Sequence, residues 1–195
     1  MTTAFVLGNG RSRQAVNPAL LKQHGPVYAC NAIYREFTPD VLVATDRPIA
    51  EAIQNSGYSL KHRFHTRQPL PDLGALPLDK RYRGFSSGPN ATALACLDGY
   101  YKIYLIGFDF GTTNGQFNNL YADTEFYKKS ASPPTFSGNW VRQLIQLAEE
   151  NNNREFVRVM GTESAMIPSF NNVKNLQTMA ISEFTDLLNT SKGLL

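Results

Sequence analysis

The chain has 195 residues, of which 42% are hydrophobic, 11% aromatic and 18% charged, and its formal net charge is +3. This composition excludes the disordered, collagen-like and coiled-coil classes, and so small a charge does not argue for a nucleic-acid partner. The length suits one compact domain over residues 1–195, with about 70% of the unfolded chain's surface buried on folding.

Short apolar runs bounded by Gly, Pro, Asn or Asp predict β-strands along the chain. The runs do not alternate with polar residues, which is typical of strands covered on both faces, as in a parallel sheet flanked by helices. In chain order the predicted strands are Ala4 to Leu7, Val27 to Cys30, Val41 to Ala44, Ile103 to Ile106 and Phe156 to Met160.

Capped or amphipathic segments between and after these strands predict helices. They run from Asn17 or Pro18 to Gln23, Pro48 to Gln54, Asn90 to Leu97 and Asn139 to Glu150, with a closing helix that carries Ile181, Phe184, Leu187 and Leu188. The alternation predicts an α/β, Rossmann-like fold, in which a mostly parallel sheet of about five or six strands has helices on both faces.

Two segments break this alternation. Residues 65–85 hold several prolines without a helical period, and residues 111–137 are rich in Thr, Asn, Gly, Ser and Pro. Both predict long irregular loops, the first with room for one short extended piece. Loops of this length in a compact domain tend to be lids or binding segments.

A glycine-rich turn, GNGRS at residues 8–12, directly follows the first predicted strand. Such a turn at the carboxyl end of a strand faces anions with its backbone N–H groups. It is not a dinucleotide fingerprint, because Arg13 occupies the last glycine position and Asn31 stands where a ribose-binding acid is expected. The absence of a following GKS or GKT excludes a P-loop.

Polar residues follow four of the predicted strands, whose ends meet at one edge of a parallel sheet. Asn side chains suit a base edge or a ribose, and the start of the helix near Asn90 suits a phosphate. An ordinary turn role is the alternative for each residue taken alone. The predicted nucleotide-binding residues are Gly8, Asn9, Gly10, Ser12, Asn31, Ser87 and Gly88, with Thr45, Asp46 and Asp109 at neighbouring strand ends.

Four blocks, FVLGNGRS, VYACNAIYREF, SSGPNATALA and IYLIGFDF, follow one another in this order. Together they resemble the bacterial lipooligosaccharide sialyltransferase-like family, which is related to motility accessory factor and pterin diphosphokinase-like proteins. The resemblance covers roughly residues 4–160. It implies a Rossmann-like fold that binds the CMP of a CMP-sugar, whose single phosphate can leave with help from hydroxyl donors and no divalent ion.

The resemblance also implies roles for individual residues. Asn9 and Ser12 would lie near the phosphate and ribose, Asn31 near the ribose or base, and Ser87–Gly88 near the nucleotide at the helix start. Tyr121 resembles a family tyrosine that stabilises the departing phosphate.

The chain departs from the family pattern at three places. Arg11 replaces a proline, Gly111 stands where a second phosphate-facing tyrosine is expected, and SPPTFSGNW lacks the histidine that serves as general base before the helix at Asn139. Asp46 and Asp109 remain as acid or base candidates. Asp46 is balanced between ligand binding and capping, and the aromatic neighbours of Asp109 favour a structural role.

Basic residues concentrate in residues 61–83, where six Lys or Arg stand against two Asp. Alternation within KHRFHTR puts Arg63, His65 and Arg67 on one face of an extended segment. A solvated edge strand, kept from aggregating by its charges, is the ordinary interpretation. The alternative is an anion-facing patch that receives a phosphorylated or acidic acceptor.

Three functional hypotheses follow. The first is a nucleotide-sugar-dependent glycosyltransferase-like protein that binds CMP or a CMP-sugar and a glycan or other small acceptor, with Tyr121 and Asp46 as catalytic candidates. The second is a catalytically inactive nucleotide-binding protein. The third is a pterin diphosphokinase-like enzyme, which would need Mg²⁺ held by carboxylates.

Cysteine usage and the opening segment indicate the compartment. Cys30 and Cys96 stand in apolar surroundings without CxxC spacing, which favours reduced core residues over a disulfide or a zinc site. The opening MTTAFVLGNG lacks the basic and apolar regions of a signal peptide, and no run approaches the ~20 apolar residues of a membrane span. We expect a cytoplasmic protein with no transmembrane segment, no metal and no cofactor.

Overall fold

The computed structural model describes residues 2–112 and 114–190. Its strands are β1 Thr3–Leu7, β2 Val27–Cys30, β3 Val41–Ala44, β4 Phe64–Thr66, β5 Leu76–Pro77, β6 Lys102–Ile106, β7 Glu155–Met160 and β8 Leu176–Ala180. They form one eight-stranded sheet in the order β5-β4-β3-β2-β1-β6-β7-β8, and every neighbouring pair is parallel.

Helices cover both faces of this sheet. They are α1 Pro18–Leu21, α2 Arg47–Asn55, α3 Ser87–Leu97, α4 Gly138–Glu150 and α5 Ile181–Thr190, and short 3-10 helices span Arg11–Ala15, Asn31–Arg35, Tyr58–Leu60 and Pro168–Asn172. The α/β, Rossmann-like prediction is therefore confirmed. Among the described residues, no helix combines the length and the apolar character needed to cross a bilayer.

Alternate residues of each central strand point into two separate apolar layers. Ala4 and Val6 of β1 pack with α3 and α4, whereas Phe5 and Leu7 pack on the other face with α1, α2 and α5. Because both faces are covered, the central strands are apolar throughout, which is the pattern that the sequence shows. Cys30 and Cys96 are buried free thiols within this core.

The five predicted strands are all present, but the structure adds β4, β5 and β8. The interpretation of KHRFHTR as a solvated edge strand is wrong, since Phe64–Thr66 is buried and lies between β3 and β5. Only three residues of this segment are buried, and the charged residues on either side of them gave the pattern of a solvated strand. Strand β8 exposes most of its residues at the opposite edge of the sheet, so its sequence lacks the apolar run of the central strands.

The glycine-rich turn after β1 packs directly on the end of β6. The N–H groups of Gly8 and Gly10 donate to the carbonyls of Ile106 and Gly107 at 2.8 and 2.9 Å. A Cβ on Gly8 would stand 2.5 Å from the Gly107 carbonyl oxygen, so a larger residue would force the two turns apart. The glycine at this position is therefore required by close strand-end packing.

The sheet core makes a direct prediction for stability. Leu7 is fully buried in β1, and Leu7→Ala should lower the free energy of unfolding by about 2–5 kcal/mol because it leaves a cavity. The matched variant Leu60→Ala, at a side chain that is 60% exposed, should change it by less than about 0.5 kcal/mol. Urea denaturation followed by circular dichroism measures both, and equal effects would contradict this packing.

Candidate functional site

A cavity of about 360 Å³ opens at the carboxyl edge of the sheet. Its wall is built from the turn after β1, the residues that follow β2, β3 and β6, the first turn of α3 and parts of the 111–137 loop. Of the predicted nucleotide-binding residues, six line it: Gly8, Asn9, Gly10, Asn31, Ser87 and Gly88. Asp46 and Arg67 also line it, whereas Ser12, Tyr121, Arg63 and His65 do not.

Ser87 ties three elements together at the start of α3. Its hydroxyl donates to Asn31 Oδ1 at 2.9 Å, and it accepts from the backbone N–H of Thr45 at 3.0 Å. The Thr45 hydroxyl lies 2.9 Å away and completes the arrangement as a donor. The hydrogen bonds of the Ser87 hydroxyl are thus all made within the protein. Their effect on the cavity is to fix the start of α3 beside it.

The first turn of α3 presents backbone N–H groups at the cavity. Ser87 and Gly88 occupy the first two positions of the helix, where N–H groups have no intrahelical acceptor. Both residues line the cavity, and the helix dipole adds partial positive charge there. A Cβ on Gly88 would meet the Phe108 ring at 3.1 Å, so a small residue is needed for this close packing. The arrangement is suited to an anion.

Two asparagines leave polar groups unused at the cavity. Asn9 is 7% exposed and donates from Nδ2 to the Cys30 carbonyl at 3.3 Å, but its Oδ1 accepts no hydrogen bond. Asn31 has a left-handed backbone with φ of +58°, a conformation that asparagine tolerates better than most residues. Backbone strain of this kind concentrates at functional sites. An acceptor and an amide group thus lie in one cavity wall.

Asp46 and Arg67 both line the cavity, and neither forms an ion pair with another residue of the described ranges. Asp46 precedes α2, but its carboxylate caps no N–H of that helix and is exposed. The capping alternative for Asp46 is therefore wrong. Arg67 donates to the carbonyls of Arg83, Gly84 and Phe85 at 2.9, 3.3 and 2.9 Å, which anchors its guanidinium.

Asp109 lines the cavity and hydrogen-bonds three chain segments around it. This carboxylate is 3% exposed and accepts from the Ser12 N–H at 3.0 Å, the Ser12 hydroxyl at 2.5 Å, Asn118 Nδ2 at 3.0 Å and the Ser164 hydroxyl at 2.7 Å. It is therefore a structural group, as its aromatic neighbours suggested. The same bonds explain why Ser12 is turned away from the cavity.

Arg158 of β7 binds the backbone around Asp109, and it was not identified as a candidate from the sequence. It is 1% exposed and donates to the carbonyls of Phe108, Asp109 and Ala165 at 2.8, 3.1 and 2.9 Å. Its guanidinium lies 4.8 Å from the centre of the Phe110 ring. Burial lowers the pKa of Arg158 to about 10. The one available signal is a lone arginine within the apolar run EFVRVM.

Tyr121 belongs to the 111–137 loop, and its hydroxyl is already hydrogen-bonded within the protein. Its hydroxyl donates to Glu36 Oε1 at 2.5 Å and accepts from Arg13 at 3.0 Å. Burial raises the pKa of Tyr121, and the positive charge of Arg13 opposes that rise in part. The hydroxyl thus belongs to a hydrogen-bonded network with Glu36 and Arg13 and does not line the cavity.

The three residues of the expected anion patch do not form one anion-binding surface, since Arg63 and His65 contact each other and Arg67 lies at the cavity. Arg63 forms a two-pronged ion pair with Asp98, with N···O distances of 2.7 and 3.1 Å. His65 is buried, donates from Nδ1 to the Pro77 carbonyl at 3.0 Å and accepts from Arg63 at 3.2 Å. Burial lowers the pKa of His65. Of the three, Arg67 alone reaches the cavity.

No protein-family model matches the chain, and no curated protein matches it in sequence. Solved structures do match, beginning with the sialyltransferase CstII from Campylobacter jejuni in complex with a substrate analogue, cytidine-5'-monophosphate. That structure has a TM-score of 0.52 and 16% identity, and the match covers 81% of this chain and 79% of that one.

Two further structures give the same result. The sialyltransferase CST-II in complex with a trisaccharide acceptor and CMP has a TM-score of 0.52 and 15% identity over 80% of each chain. The alpha-2,3-sialyltransferase from Campylobacter jejuni in apo form has a TM-score of 0.52 and 17% identity, over 81% of this chain and 75% of that one. At these identities the comparison shows a shared sialyltransferase-like fold.

The Asp109 cluster gives a second stability prediction. Asp109→Asn replaces one carboxylate oxygen by an amide that faces donors, and should lower the free energy of unfolding by about 2–4 kcal/mol. The matched control is Asp186→Asn, at an exposed position on α5, which should stay within about 0.5 kcal/mol. Urea denaturation of both variants is the measurement, and a neutral Asp109→Asn would contradict the structural role.

Proposed function

We propose that the chain binds CMP or a CMP-sugar in the 360 Å³ cavity and transfers the sugar to an acceptor hydroxyl. The observation that carries this proposal is the first turn of α3, which opens on the cavity beside the unused polar groups of Asn9 and Asn31. The shared fold of structures that hold CMP supports the choice of nucleotide.

The phosphate is assigned to the start of α3. The N–H groups of Ser87 and Gly88 supply donors, and the dipole of an 11-residue helix adds favourable charge. Ser87 is fixed by its bonds to Asn31 and Thr45, so these donors are already in position before the ligand arrives. Such preorganised donors stabilise negative charge that grows on a leaving group.

The nucleoside is assigned to the wall formed by Asn9, Asn31 and the aromatic residues. The Oδ1 atom of Asn9 needs a donor, which a ribose hydroxyl or a base amino group supplies. The amide of Asn31 donates to no described acceptor and can bind a base or ribose oxygen. Phe108, Phe110 and Trp140 also line the cavity and offer apolar surface to the ring faces.

Transfer then needs one proton acceptor. The acceptor oxygen forms a bond to the anomeric carbon, the bond from that carbon to the phosphate oxygen breaks, and CMP leaves with the electron pair. Asp46 takes the hydroxyl proton in this proposal, because it is an unpaired carboxylate at the cavity. The N–H groups of α3 stabilise the departing phosphate in place of Tyr121, whose hydroxyl is bonded to Glu36.

Nucleotide binding without transfer is the second candidate. It is favoured by one observation: the chain's three histidines, His24, His62 and His65, all lie outside the cavity wall. A protein with this function would bind CMP as tightly as a transferase and release no CMP from CMP-sugars. The two candidates therefore share a binding prediction and differ in turnover.

Binding is tested first by calorimetry with CMP and with cytidine, which lacks the phosphate. CMP should bind at millimolar concentration or below, and cytidine at least about tenfold more weakly, since the charge-assisted bonds at α3 are lost. Asn31→Gly keeps the left-handed backbone, removes the amide and should weaken CMP binding by about tenfold.

The matched control for this titration is Asn152→Ala, at an exposed position after α4, which should bind CMP like the wild type. A wild-type protein that gives no heat with CMP or any CMP-sugar at millimolar concentration would overturn the proposed function.

Turnover is tested by the release of CMP from CMP-sugars. Asp46→Asn should reduce the rate by about 10²–10⁴-fold, because a general base is lost, while CMP affinity changes by less than about threefold. Asp186→Asn again serves as the matched control and should keep wild-type turnover. Binding without turnover in the wild type would select the non-catalytic candidate, and full turnover in Asp46→Asn would remove Asp46 as the base.

A further inference from the structure

A second cavity of about 300 Å³ adjoins the first at the carboxyl ends of β3 and β4. It lies between the first turns of α2 and the residues at the end of β4. Thr45, Asp46 and Arg67 line both cavities and form their shared wall. The second cavity includes neither the start of α3 nor the turn after β1, so the groups assigned to the nucleotide are confined to the first.

Of the four charged residues that line the second cavity, two pair with each other and two have no ion-pair partner in the described ranges. Arg47 and Glu51 also line it, and they pair with each other at 2.7 Å along α2. Arg67 has no carboxylate partner within 4 Å among residues 2–112 and 114–190. Asp46 likewise has no cationic partner in these ranges. The shared wall therefore carries one cation and one carboxylate that the protein itself does not neutralise.

The guanidinium of Arg67 is held by hydrogen bonds from two of its three nitrogens, and the third makes none in the described chain. Nε and Nη2 donate to the carbonyls of Arg83, Gly84 and Phe85, whereas Nη1 donates to no acceptor in the described chain. Anchoring reduces the entropy that a long side chain loses when it binds an anion. A held guanidinium with a free nitrogen is suited to a carboxylate or a phosphate.

We infer that the second cavity receives the acceptor, and that this acceptor bears an anionic group that binds Arg67. The inference rests on the proposed function and deepens it. Asp46 lies in the wall between the two cavities, where a base must be to take the acceptor's proton as its oxygen bonds to the anomeric carbon. CMP leaves on the other side with the electron pair of the broken bond. A sugar hydroxyl on a carboxylated or phosphorylated molecule meets these requirements.

The test compares acceptors that share one galactoside and differ in the anionic group it bears: none, a carboxylate or a phosphate. Each is titrated into protein saturated with CMP, and kcat/KM is measured with a CMP-sugar where turnover occurs. In the wild type the anionic acceptors should bind at least about tenfold more tightly than the neutral one. The stronger of the two anionic arms identifies the group.

Arg67→Ala should lower affinity for the anionic acceptors by about 10–100-fold and leave that for the neutral acceptor within about threefold. CMP affinity should also stay within about threefold. Arg67→Lys keeps the charge and should recover part of the loss. Arg142→Ala is the matched control, since this exposed arginine of α4 lies outside both cavities.

Equal affinity of the wild type for charged and neutral acceptors would overturn the inference. So would an Arg67→Ala variant that loses CMP binding together with acceptor binding, because Arg67 would then serve the donor. Failure of the wild type to bind CMP would overturn the proposed function first, and the acceptor assignment with it. The CMP titration therefore separates the two failures.

Discussion

The buried carboxylate of Asp109 is the constraint on which the carboxyl edge of the sheet depends. It accepts four hydrogen bonds from Ser12, Asn118 and Ser164, which belong to the turn after β1, the 111–137 loop and the segment after β7. Hydrogen bonds to charged groups contribute about 1.5–3 kcal/mol each, and an unsatisfied buried charge costs more. These three chain segments are therefore held together at one point.

Arg158 of β7 stabilises the backbone on either side of this carboxylate. It binds the carbonyls of Phe108 and Asp109 and so fixes the turn that carries the carboxylate. Ser87 has the matching role on the other side of the cavity, where it joins the ends of β2 and β3 to α3. The first turn of α3 is thereby held facing the cavity, where the proposed phosphate site lies.

The sequence predicts the parts of this molecule that depend on local pattern. The five central strands are buried on both faces, so their apolar runs identify them, and six of the seven nucleotide candidates line one cavity because strand ends converge. Side-chain partners distant in sequence carry no such signal. Glu36 bonds Tyr121 from 85 positions away, and Asp98 neutralises Arg63 from 35 positions away. The charged residues that flank β4 likewise gave a buried strand the sequence pattern of a solvated edge strand.

A crystal structure of the protein with CMP tests the central claim most directly. The phosphate should lie within hydrogen-bond distance of the Ser87 and Gly88 N–H groups, and the nucleoside should lie against Asn9 and Asn31. Arg67 and the second cavity should remain open to a second ligand. CMP bound elsewhere, or with its phosphate on Arg67 and away from the start of α3, would contradict the account.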